Sequence, residues 1–315
     1  MSFAHIPVLL NETLDGLNIK ADGIYVDATF GRGGHSREIL KRLGPDGRLF
    51  ALDRDLAAIE AAKEINDARF CIVHSPFSQI KEECLNLGIC GKVDGILMDI
   101  GVSSPQIDDA GRGFSFEKNG PLDMRMDQSA KLDAATIINT YEAKDLAFIF
   151  KTFGEERFAS KVAKAIVRAR ENSPFTTTLA LAELISASIP GKVGPKHKAT
   201  RCFQALRIAV NSELDELSAA LQGTLEVLKS GGRLCVISFH SLEDRIVKNF
   251  IRDNSEGPKI PRGLPITDDE LAKLKLASCS LKKVSNAIKA SDIEISHNPR
   301  SRSAVLRVAE RLERI

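Results

Sequence analysis

The chain has 315 residues, of which 43% are hydrophobic and 27% charged, and its formal net charge is +2. This composition is typical of a folded, water-soluble protein and excludes disordered, collagen-like and membrane-spanning classes. The length predicts one large domain with an insertion, or two domains. The six cysteines lack a C-x-x-C pair or a histidine at zinc-ligand spacing, so no metal is predicted. The apolar run near the N-terminus is too short for a signal sequence or a membrane span, which predicts a cytoplasmic protein without a membrane partner.

Apolar runs alternate with helical patterns over the first hundred residues. The strand-like runs are "GIYVDAT", "GRLFALD", "ARFCIVH" and "DGILMDI". A segment with the spacing of an amphipathic helix separates each run from the next. This alternation predicts βαβ units and therefore a mostly parallel sheet of the Rossmann-like α/β class.

The alternation stops between about residues 105 and 211, where helical patterns such as "EERFASKVAKAIVRARE" dominate. The strand "GRLCVISFH" then resumes the sheet, and "ASCSLKKV" and "SAVLRVAER" are predicted to close it as an antiparallel pair. We therefore predict a discontinuous α/β domain of residues 1–105 and 212–315. An all-helical domain of residues 106–211 is predicted to be inserted into it.

The positive charge is concentrated in the predicted insertion. Residues 144–210 contain twelve Lys and Arg against five Asp and Glu, a net charge of +7, which leaves −5 for the rest of a chain whose total is +2. Such asymmetry indicates a contact surface for a polyanion such as a nucleic acid. The alternative is that helices carry solvated lysines for solubility alone.

A glycine-rich turn, "GRGGHS", follows the first predicted strand. Turns of this kind bring backbone N–H groups and a helix N-terminus close to a ligand. Gly31 and Gly33 match the dinucleotide fingerprint G-x-G-x-x-G, but Ser36 occupies the position of the third glycine. The match is therefore partial and leaves the ligand open.

Two acids narrow the choice of ligand. Asp53 ends the second predicted strand, where an acid accepts hydrogen bonds from ribose hydroxyls. Asp27 lies at the end of the first strand, where its charge repels a pyrophosphate and attracts the ammonium of an amino acid. The loop therefore favours a zwitterionic nucleoside over a dinucleotide. The alternative for Asp27 is a residue that only caps the turn.

The fourth strand-like run, "DGILMDIGVSSPQ", is apolar up to Asp99 and then breaks into a polar loop that is predicted to face the same crevice. Pro105 pushes Ser104 toward an extended conformation, so the loop is predicted to present backbone carbonyls outward. Outward acceptors suit methyl transfer to an exocyclic base amine, in which in-line placement and exclusion of water provide most of the rate. Asp99 and the backbone of Ser103, Ser104 and Pro105 are the predicted catalytic groups, and Gln106 is predicted to reach the cofactor or the base. A simple Ser-Ser-Pro turn is the alternative.

Fragments along nearly the entire chain resemble the MraW/RsmH family of bacterial methyltransferases. They include "DATFGRGGHS", "ALDRD", "GVSSPQIDDAGRGFSF", "ATRCFQALRIAVNSEL", "SFHSLEDRIVK" and "NPRSRSAVLR". The resemblance implies a class I methyltransferase sheet with a helical, substrate-recognising domain inserted after the fourth strand. It also implies an S-adenosylmethionine-dependent enzyme that methylates N4 of one cytidine in the decoding region of 16S ribosomal RNA, with the small ribosomal subunit as the expected partner.

The resemblance assigns cofactor contacts motif by motif. They are Gly33, Gly34, His35, Asp53, Phe77, Asp99 and Gln106, to which the charge argument above adds Asp27. His35 is expected to act through its backbone. Phe77 follows the third predicted strand, and it is either an adenine contact, as the resemblance implies, or a core residue, as its spacing alone suggests.

Five basic residues are the predicted RNA contacts. Lys196, Lys198 and Arg201 lie in the basic insertion, and Arg300 and Arg302 lie in "NPRSRS" near the predicted sheet edge. Lysine and arginine at such positions suit contact with phosphates.

Three further patterns have open interpretations. The loop after the fourth strand lacks the aromatic residue that stacks a target base in DNA amino-methyltransferases, so Phe114 or Phe116 is the candidate to replace it. In "SFHSLEDR", Ser241 either faces the target nucleotide together with His240 and Arg245 or caps the next helix with Asp244. In "GPLDMRMD", an internal ion pair and a lip over the crevice are the alternatives.

Two other functions compete with the methyltransferase. A nicotinamide-dependent oxidoreductase uses the same kind of sheet, but the missing third glycine and Asp27 argue against it. A non-catalytic RNA-binding assembly factor would keep the fold without turnover, and the presence of Asp53 and Asp99 argues against that.

Overall fold

The computed structural model describes residues 7–191, 197–257, 267, 269–270 and 278–313. The chain divides into two compact units. The first, the sheet unit, is formed by Met1–Gly101 and Leu214–Ile315, and the second, the helical unit, by Val102–Glu213.

The sheet unit is built around one sheet. Its strands are β1 Ile24–Asp27, β2 Arg48–Asp53, β3 Phe70–His74, β4 Val93–Asp99, β5 Leu228–Ser238, β6 Leu281–Lys283, β7 Ile288–Lys289 and β8 Val305–Arg311. Their spatial order is β3-β2-β1-β4-β5-β8-β6, and β7 also pairs with β8. The pairs among β1 to β5 are parallel, whereas β8 runs antiparallel to β5 and to β6. The Rossmann-like class and the closing antiparallel pair predicted from the sequence are confirmed.

Helices connect the strands and form the helical unit. In the sheet unit they are α1 Leu10–Leu17, α2 Gly34–Arg42, α3 Leu56–Ala62, α4 Ile80–Asn86, α12 Ser241–Ser255 and α13 Asp292–His297; α11 Glu213–Val227 starts at the boundary. In the helical unit they are α5 Ser104–Asp108, α6 Ala134–Thr140, α7 Ala143–Thr152, α8 Ala159–Arg170, α9 Thr178–Ser188 and α10 Thr200–Asn211. Among the described helices, none combines the length and the apolar character needed to cross a membrane.

The central strands are apolar because both faces of the sheet are covered. Along β4, Ile96 and Met98 belong to the core on one face, and Leu97 between them belongs to the core on the other. Neighbouring β5 is divided in the same way, with Val236 on one face and Ile237 on the other. The buried run of β4 ends at Asp99, the last residue of the strand, which therefore lies at the carboxyl edge of the sheet.

The helical unit has a separate apolar core, to which α6, α7, α8, α9 and α10 contribute residues such as Ile138, Phe150, Val162 and Leu206. Its described residues form helices and short turns, with one isolated β-bridge between Pro121 and Thr177. The helical character predicted for this part of the chain is confirmed.

One boundary differs from the sequence pattern. The amphipathic stretch "ELDELSAALQGTLEVLKSGG" suggests a helix that runs up to the glycines, but α11 ends at Val227 and β5 follows at once. Val93 pairs with Leu228, whereas Gly95 pairs with Arg233, so β5 carries extra residues at this point. Gly231 lies within them at φ 75°, a conformation that glycine adopts without steric cost.

Candidate active site

The loop between β1 and α2 depends on glycine for its shape. Gly31 and Gly33 have φ values of 57° and 72°, and Gly33 is the N-cap of α2, which no side chain caps. A Cβ at Gly33 would lie 2.6 Å from the ring of Phe30, and one at Gly34 would lie 2.6 Å from Pro7. A Cβ at Gly31 would meet no heavy atom within 4 Å. The loop is therefore closely packed at Gly33 and Gly34 and open at Gly31.

Asp27 is buried at the end of β1. Its Oδ2 accepts a 2.6 Å hydrogen bond from Oγ of Ser36, and its Oδ1 accepts a 3.2 Å bond from the backbone N–H of Thr29. Burial raises the pKa of Asp27 to about 6. The turn-capping bond named as the alternative is thus present, and contact with a ligand ammonium stays a prediction.

Asp53 joins the glycine loop to the end of β2. Its Oδ2 accepts a 2.7 Å hydrogen bond from N–H of Gly31, and its Oδ1 accepts a 2.8 Å bond from N–H of Asp55. Burial raises the pKa of this carboxyl above its usual range. Because each carboxylate oxygen has two acceptor positions, both oxygens keep capacity for a ligand hydroxyl.

Asp99 ends β4, and its backbone N–H donates a 2.6 Å hydrogen bond to Oγ1 of Thr29. Its Oδ2 lies 3.6 Å from Nδ1 of His35, while its Oδ1 is buried without a hydrogen-bond partner among the residues that the structure describes. Burial, followed by the charges of Asp27 and Glu243, raises the pKa of Asp99 to about 8. A buried acceptor with no partner is unfavourable for the fold alone and marks a place for a ligand group.

His35 and Phe77 depart in part from their expected roles. The side chain of His35 is buried, with Nε2 3.1 Å from the carbonyl oxygen of Val8, so the imidazole as well as the backbone belongs to this site. Phe77 starts a 3₁₀ turn after β3, where it is half-buried and packs against the sheet core. The core interpretation therefore holds for part of the ring, and contact with adenine stays a prediction.

The segment after β5 corrects one expectation. His240, not Ser241, is the N-cap of α12, because His240 is still extended at φ −141° and ψ 163°. Glu243 completes the capping box, accepting hydrogen bonds from the backbone N–H groups of Phe239 at 2.8 Å and His240 at 3.2 Å. The alternative in which Ser241 caps this helix with Asp244 is therefore wrong by one residue, and contact of His240, Ser241 and Arg245 with the target nucleotide stays a prediction.

The loop that follows β4 in the chain belongs to the helical unit, and its conformation also corrects the sequence analysis. Ser104 is the first residue of α5 rather than extended, and Pro105 lies in the first helical turn, where proline is tolerated. The carbonyls of Ser103 and Pro105 accept hydrogen bonds from the N–H groups of Ile107 and Asp109, at 3.3 and 3.0 Å. These two carbonyls are therefore paired, and the expectation that both are presented outward is wrong.

Gln106 is buried, and its Oε1 accepts a 2.9 Å hydrogen bond from the N–H of Ser103, the N-cap of α5. The two residues form a capping box, which fixes the start of the helix. Contact of Gln106 with a cofactor stays a prediction.

The five predicted RNA contacts are divided between the units. Lys198 donates from Nζ to the carbonyl of Ile189, the C-cap of α9, at 2.8 Å, and Arg201 donates to the carbonyl of Glu155 at 3.3 Å. Both therefore have contacts within the helical unit. Arg300 and Arg302 are exposed in a 3₁₀ turn of the sheet unit, Pro299–Ser303, and Lys196 lies outside the described residues.

The candidate aromatic residues pack within the helical unit. The ring of Phe116 lies 4.6 Å from that of His197 and 4.7 Å from that of Phe203, centroid to centroid, and it lines a groove of about 370 Å³. Phe114 faces the guanidinium of Arg112 at 5.8 Å. A stacking role for either ring stays a prediction.

The polar cluster "GPLDMRMD" contains the internal ion pair that was one alternative. Arg125 donates from Nε and Nη2 to the two carboxylate oxygens of Asp123, both at 2.7 Å. This bidentate pair stabilises the turn before α6.

Sequence analysis missed three residues of the sheet unit's site. Thr29 accepts a hydrogen bond from the backbone N–H of Asp99, and Ser36 donates one to the carboxylate of Asp27. Thr29 and Ser36 both lie in the motif "DATFGRGGHS". Glu243 is fully buried and contributes to the raised pKa of Asp99. The only signal in the sequence was an acid at the third position of a helix that follows a strand. The sequence does not show whether such an acid is buried or exposed.

Comparison with known proteins gives this arrangement a family. A family model described as the MraW methylase family matches residues 2–312 of the chain. The chain belongs to the MraW methylase family. A member from Shewanella amazonensis, named Ribosomal RNA small subunit methyltransferase H, is 58% identical over 311 residues, which cover 98% of each chain. The protein of the same name from Shewanella frigidimarina is 57% identical over 99% of this chain and 98% of its own.

Among solved structures, a putative rRNA-methylase from Clostridium thermocellum aligns with 98% of this chain and 100% of its own, at a TM-score of 0.44 and 12% identity. That likeness is weak, so the family assignment rests on the sequence relatives. Membership in the MraW methylase family makes the protein a methyltransferase, with S-adenosylmethionine as its methyl donor. The nicotinamide-dependent oxidoreductase is therefore excluded.

Proposed function

We propose that this protein transfers the methyl group of S-adenosylmethionine to N4 of one cytidine in the decoding region of 16S ribosomal RNA. The names of its relatives from Shewanella, which specify the ribosomal RNA of the small subunit, support the substrate class. The choice of a cytidine N4 comes from the family resemblance and from the chemistry of the site.

The observation that carries the proposal is the set of three carboxyl groups at the ends of neighbouring strands. Asp27, Asp53 and Asp99 end β1, β2 and β4, and the N–H of Gly31 is bonded to one of them. This edge of a parallel sheet is where α/β proteins bind nucleosides. A set of acids with raised pKa values favours a cationic ligand and disfavours a pyrophosphate.

The groups present fit the methyl donor part by part. Asp53 would accept hydrogen bonds from the ribose hydroxyls, and Asp27 would stabilise the ammonium. The uncapped N-terminus of α2 would favour the carboxylate. The open side of Gly31 leaves space for the backbone to approach the ligand closely. Contacts from Gly33, Gly34, His35, Phe77 and Gln106 are part of the same proposal.

S-adenosylmethionine supplies an electrophilic methyl group on a positively charged sulfur. The chain's own contribution is placement, exclusion of water and control of a proton. Beside the positively charged sulfur of the donor, Asp99 would be ionised. Transfer of the methyl group would leave that sulfur neutral, and the pKa of Asp99 would then rise again. Asp99 is therefore suited to accept the proton that the amine of the base loses as its new N–C bond forms.

The helical unit is proposed to recognise the RNA, and the recognition domain predicted from the sequence, residues 106–211, lies within it. The predicted catalytic role of the backbone of Ser103, Ser104 and Pro105 remains part of the proposal, with these residues in a capped helical turn. The sequence predicted that this segment presents free backbone carbonyls. In the structure, the capping box of Ser103 and Gln106 instead fixes the start of a helical turn.

Transfer of labelled methyl groups tests this function. Unmodified small ribosomal subunits, free 16S RNA and DNA are offered in parallel, and the labelled nucleosides are identified by mass spectrometry. We expect label in N4-methylcytidine from the subunit or its RNA. Label in another nucleoside, or none in any substrate despite cofactor binding, would overturn the proposal.

A further inference from the structure

A row of basic side chains follows one face of α8. Lys161, Lys164 and Arg168 lie on α8, three and four residues apart, and Arg157 lies in the turn just before the helix; all four are exposed. The spacing of Lys161, Lys164 and Arg168 places each of them about one helical turn from the next. The helix itself, "ASKVAKAIVRAR", contains no acidic residue. We call these four residues the α8 row.

The α8 row has no acidic partner in the described part of the chain: no ion pair includes any of its four residues. Several lysines on or next to other helices have an acidic partner instead. Lys41 lies 2.6 Å from Glu38, Lys81 lies 2.8 Å from Glu226, and the pairs Lys63–Glu60 and Lys144–Glu142 are similar. The α8 row is therefore an uncompensated concentration of positive charge.

The fold does not benefit from this arrangement. Like charges three or four residues apart on a helix destabilise it by about 0.2–0.5 kcal/mol per pair. Cations stabilise the C-terminal end of a helix, which explains Arg168, but Arg157 and Lys161 lie at the N-terminal end, where a cation is unfavourable. Arg168 donates from Nε to the carbonyl of Lys164, one turn earlier in α8, at 3.3 Å, and the neighbouring Arg170 donates to the carbonyl of Ile138 at 2.7 Å.

We infer that the α8 row binds the phosphate backbone of the RNA substrate. This inference rests on the proposed function, since it assigns a surface to the RNA that the enzyme methylates. A polyanion offsets the repulsion within the row and meets cations that carry no competing carboxylate. The row is proposed in addition to Lys198 and Arg201, which bond to backbone carbonyls of their own unit, as Arg168 also does.

The test compares two variants of the full chain with the same loss of charge. The first carries Arg157→Gln, Lys161→Gln, Lys164→Gln and Arg168→Gln. The control carries Lys41→Gln, Lys63→Gln, Lys81→Gln and Lys144→Gln. Affinity for a 16S RNA transcript is measured by fluorescence anisotropy over a series of salt concentrations, and cofactor affinity by calorimetry.

We expect the α8 variant to bind RNA at least tenfold more weakly at low salt, with its salt dependence flatter by about 2 to 3 in the slope of log K against log salt. Its cofactor affinity and melting temperature should not fall below those of the wild type. The control should keep most of the wild-type affinity. Equal losses of RNA affinity in the two variants would mean that binding depends only on net charge. Unchanged affinity of the α8 variant would mean that the RNA binds elsewhere. Either result would overturn the inference.

The same experiment separates this inference from the proposed function. Wild-type protein that binds the RNA through the α8 row but forms no N4-methylcytidine would contradict the proposed reaction and leave the row in place. Wild-type protein that forms N4-methylcytidine while the α8 variant binds and reacts like the control would retain the reaction and contradict the row.

Discussion

Nδ1 of His35 lies 3.6 Å from Oδ2 of Asp99, and Nε2 of the same ring lies 3.1 Å from the carbonyl oxygen of Val8. A carbonyl only accepts, so we assign the ring hydrogen of a neutral His35 to Nε2, and Nδ1 presents its lone pair to Asp99. With a pKa of about 8, Asp99 is mainly protonated at pH 7. The pair is therefore a carboxylic acid facing an acceptor, and the proposed cationic ligand would favour the ionised form of that acid.

The first prediction concerns stability and pH. The folded-state pKa of Asp99 is raised from 3.8 to about 8, so its stabilising contribution is present at low pH and is lost as the pH rises through this window. Asp99→Asn removes that loss, because the amide stays neutral. In denaturant unfolding from pH 5 to 8, the free energy of unfolding of the variant, relative to that of the wild type, should rise by up to about 1.4 kcal/mol per pH unit.

Asp94→Asn is the matched control at the opposite end of β4. Burial opposes ionisation there, but hydrogen bonds from Lys229 and from N–H of Ile24 lower the pKa of Asp94 below its usual range. Its contribution is therefore present at neutral pH and lost as the pH falls. This variant should be less stable than the wild type at pH 7 and approach it in acid. A parallel pH dependence in both variants would refute the assigned shifts.

The second prediction concerns protons released by the methyl donor. A cation near Asp99 favours the ionised carboxyl, so binding of S-adenosylmethionine at pH 7 should release up to about one proton. Calorimetry in buffers with different ionisation enthalpies measures this number directly. Asp99→Asn should reduce it to a small remainder from Asp27. Release that is unchanged in the variant would show that another group titrates.

The third prediction separates two glycines of one loop. Gly31→Ala and Gly33→Ala both place a side chain at a positive φ, which costs about 1 kcal/mol or more. The Cβ at residue 33 also meets the ring of Phe30 at 2.6 Å, whereas that at residue 31 meets nothing. Gly33→Ala should therefore lose more stability in thermal unfolding.

Gly31→Ala should instead lose more cofactor affinity than its modest loss of stability suggests, because its Cβ projects into the space proposed for the ligand. Calorimetric titration with S-adenosylmethionine provides this comparison. The proposed placement of the donor would be untenable if Gly31→Ala bound it as well as the wild type.

Much of the fold follows from local patterns in the sequence. The strands were predictable because each apolar run is short and ends in a turn residue or an acid, as at Asp27 and Asp99. Their shared edge was predictable because carboxyl ends of parallel strands meet there. The end of α11 was not, since the pairing of Leu228 with Val93 is a tertiary contact that overrides a helical pattern.

The errors near the site come from competition between local rules. The rule that proline disfavours a helical residue before it predicted an extended Ser104, but the tolerance of the first helical turn for proline prevailed. Ser241 is a better capping residue than His240 in general, yet β5 ends so that His240 is the last extended residue. The ionisation of Asp99 was beyond sequence analysis, because it depends on burial and on a distant acid, Glu243.

The most direct test of the account is the affinity of S-adenosylmethionine for Asp53→Asn, with Asp94→Asn as the control. Both positions are acids on parallel strands of the sheet unit, Asp53 on β2 and Asp94 on β4, but only Asp53 lies at the edge proposed to hold the donor. Loss of a charged acceptor for the ribose hydroxyls should weaken binding by about tenfold or more. Asp94→Asn should bind like the wild type. Equal affinities for all three proteins, or a loss confined to Asp94→Asn, would contradict the proposed site.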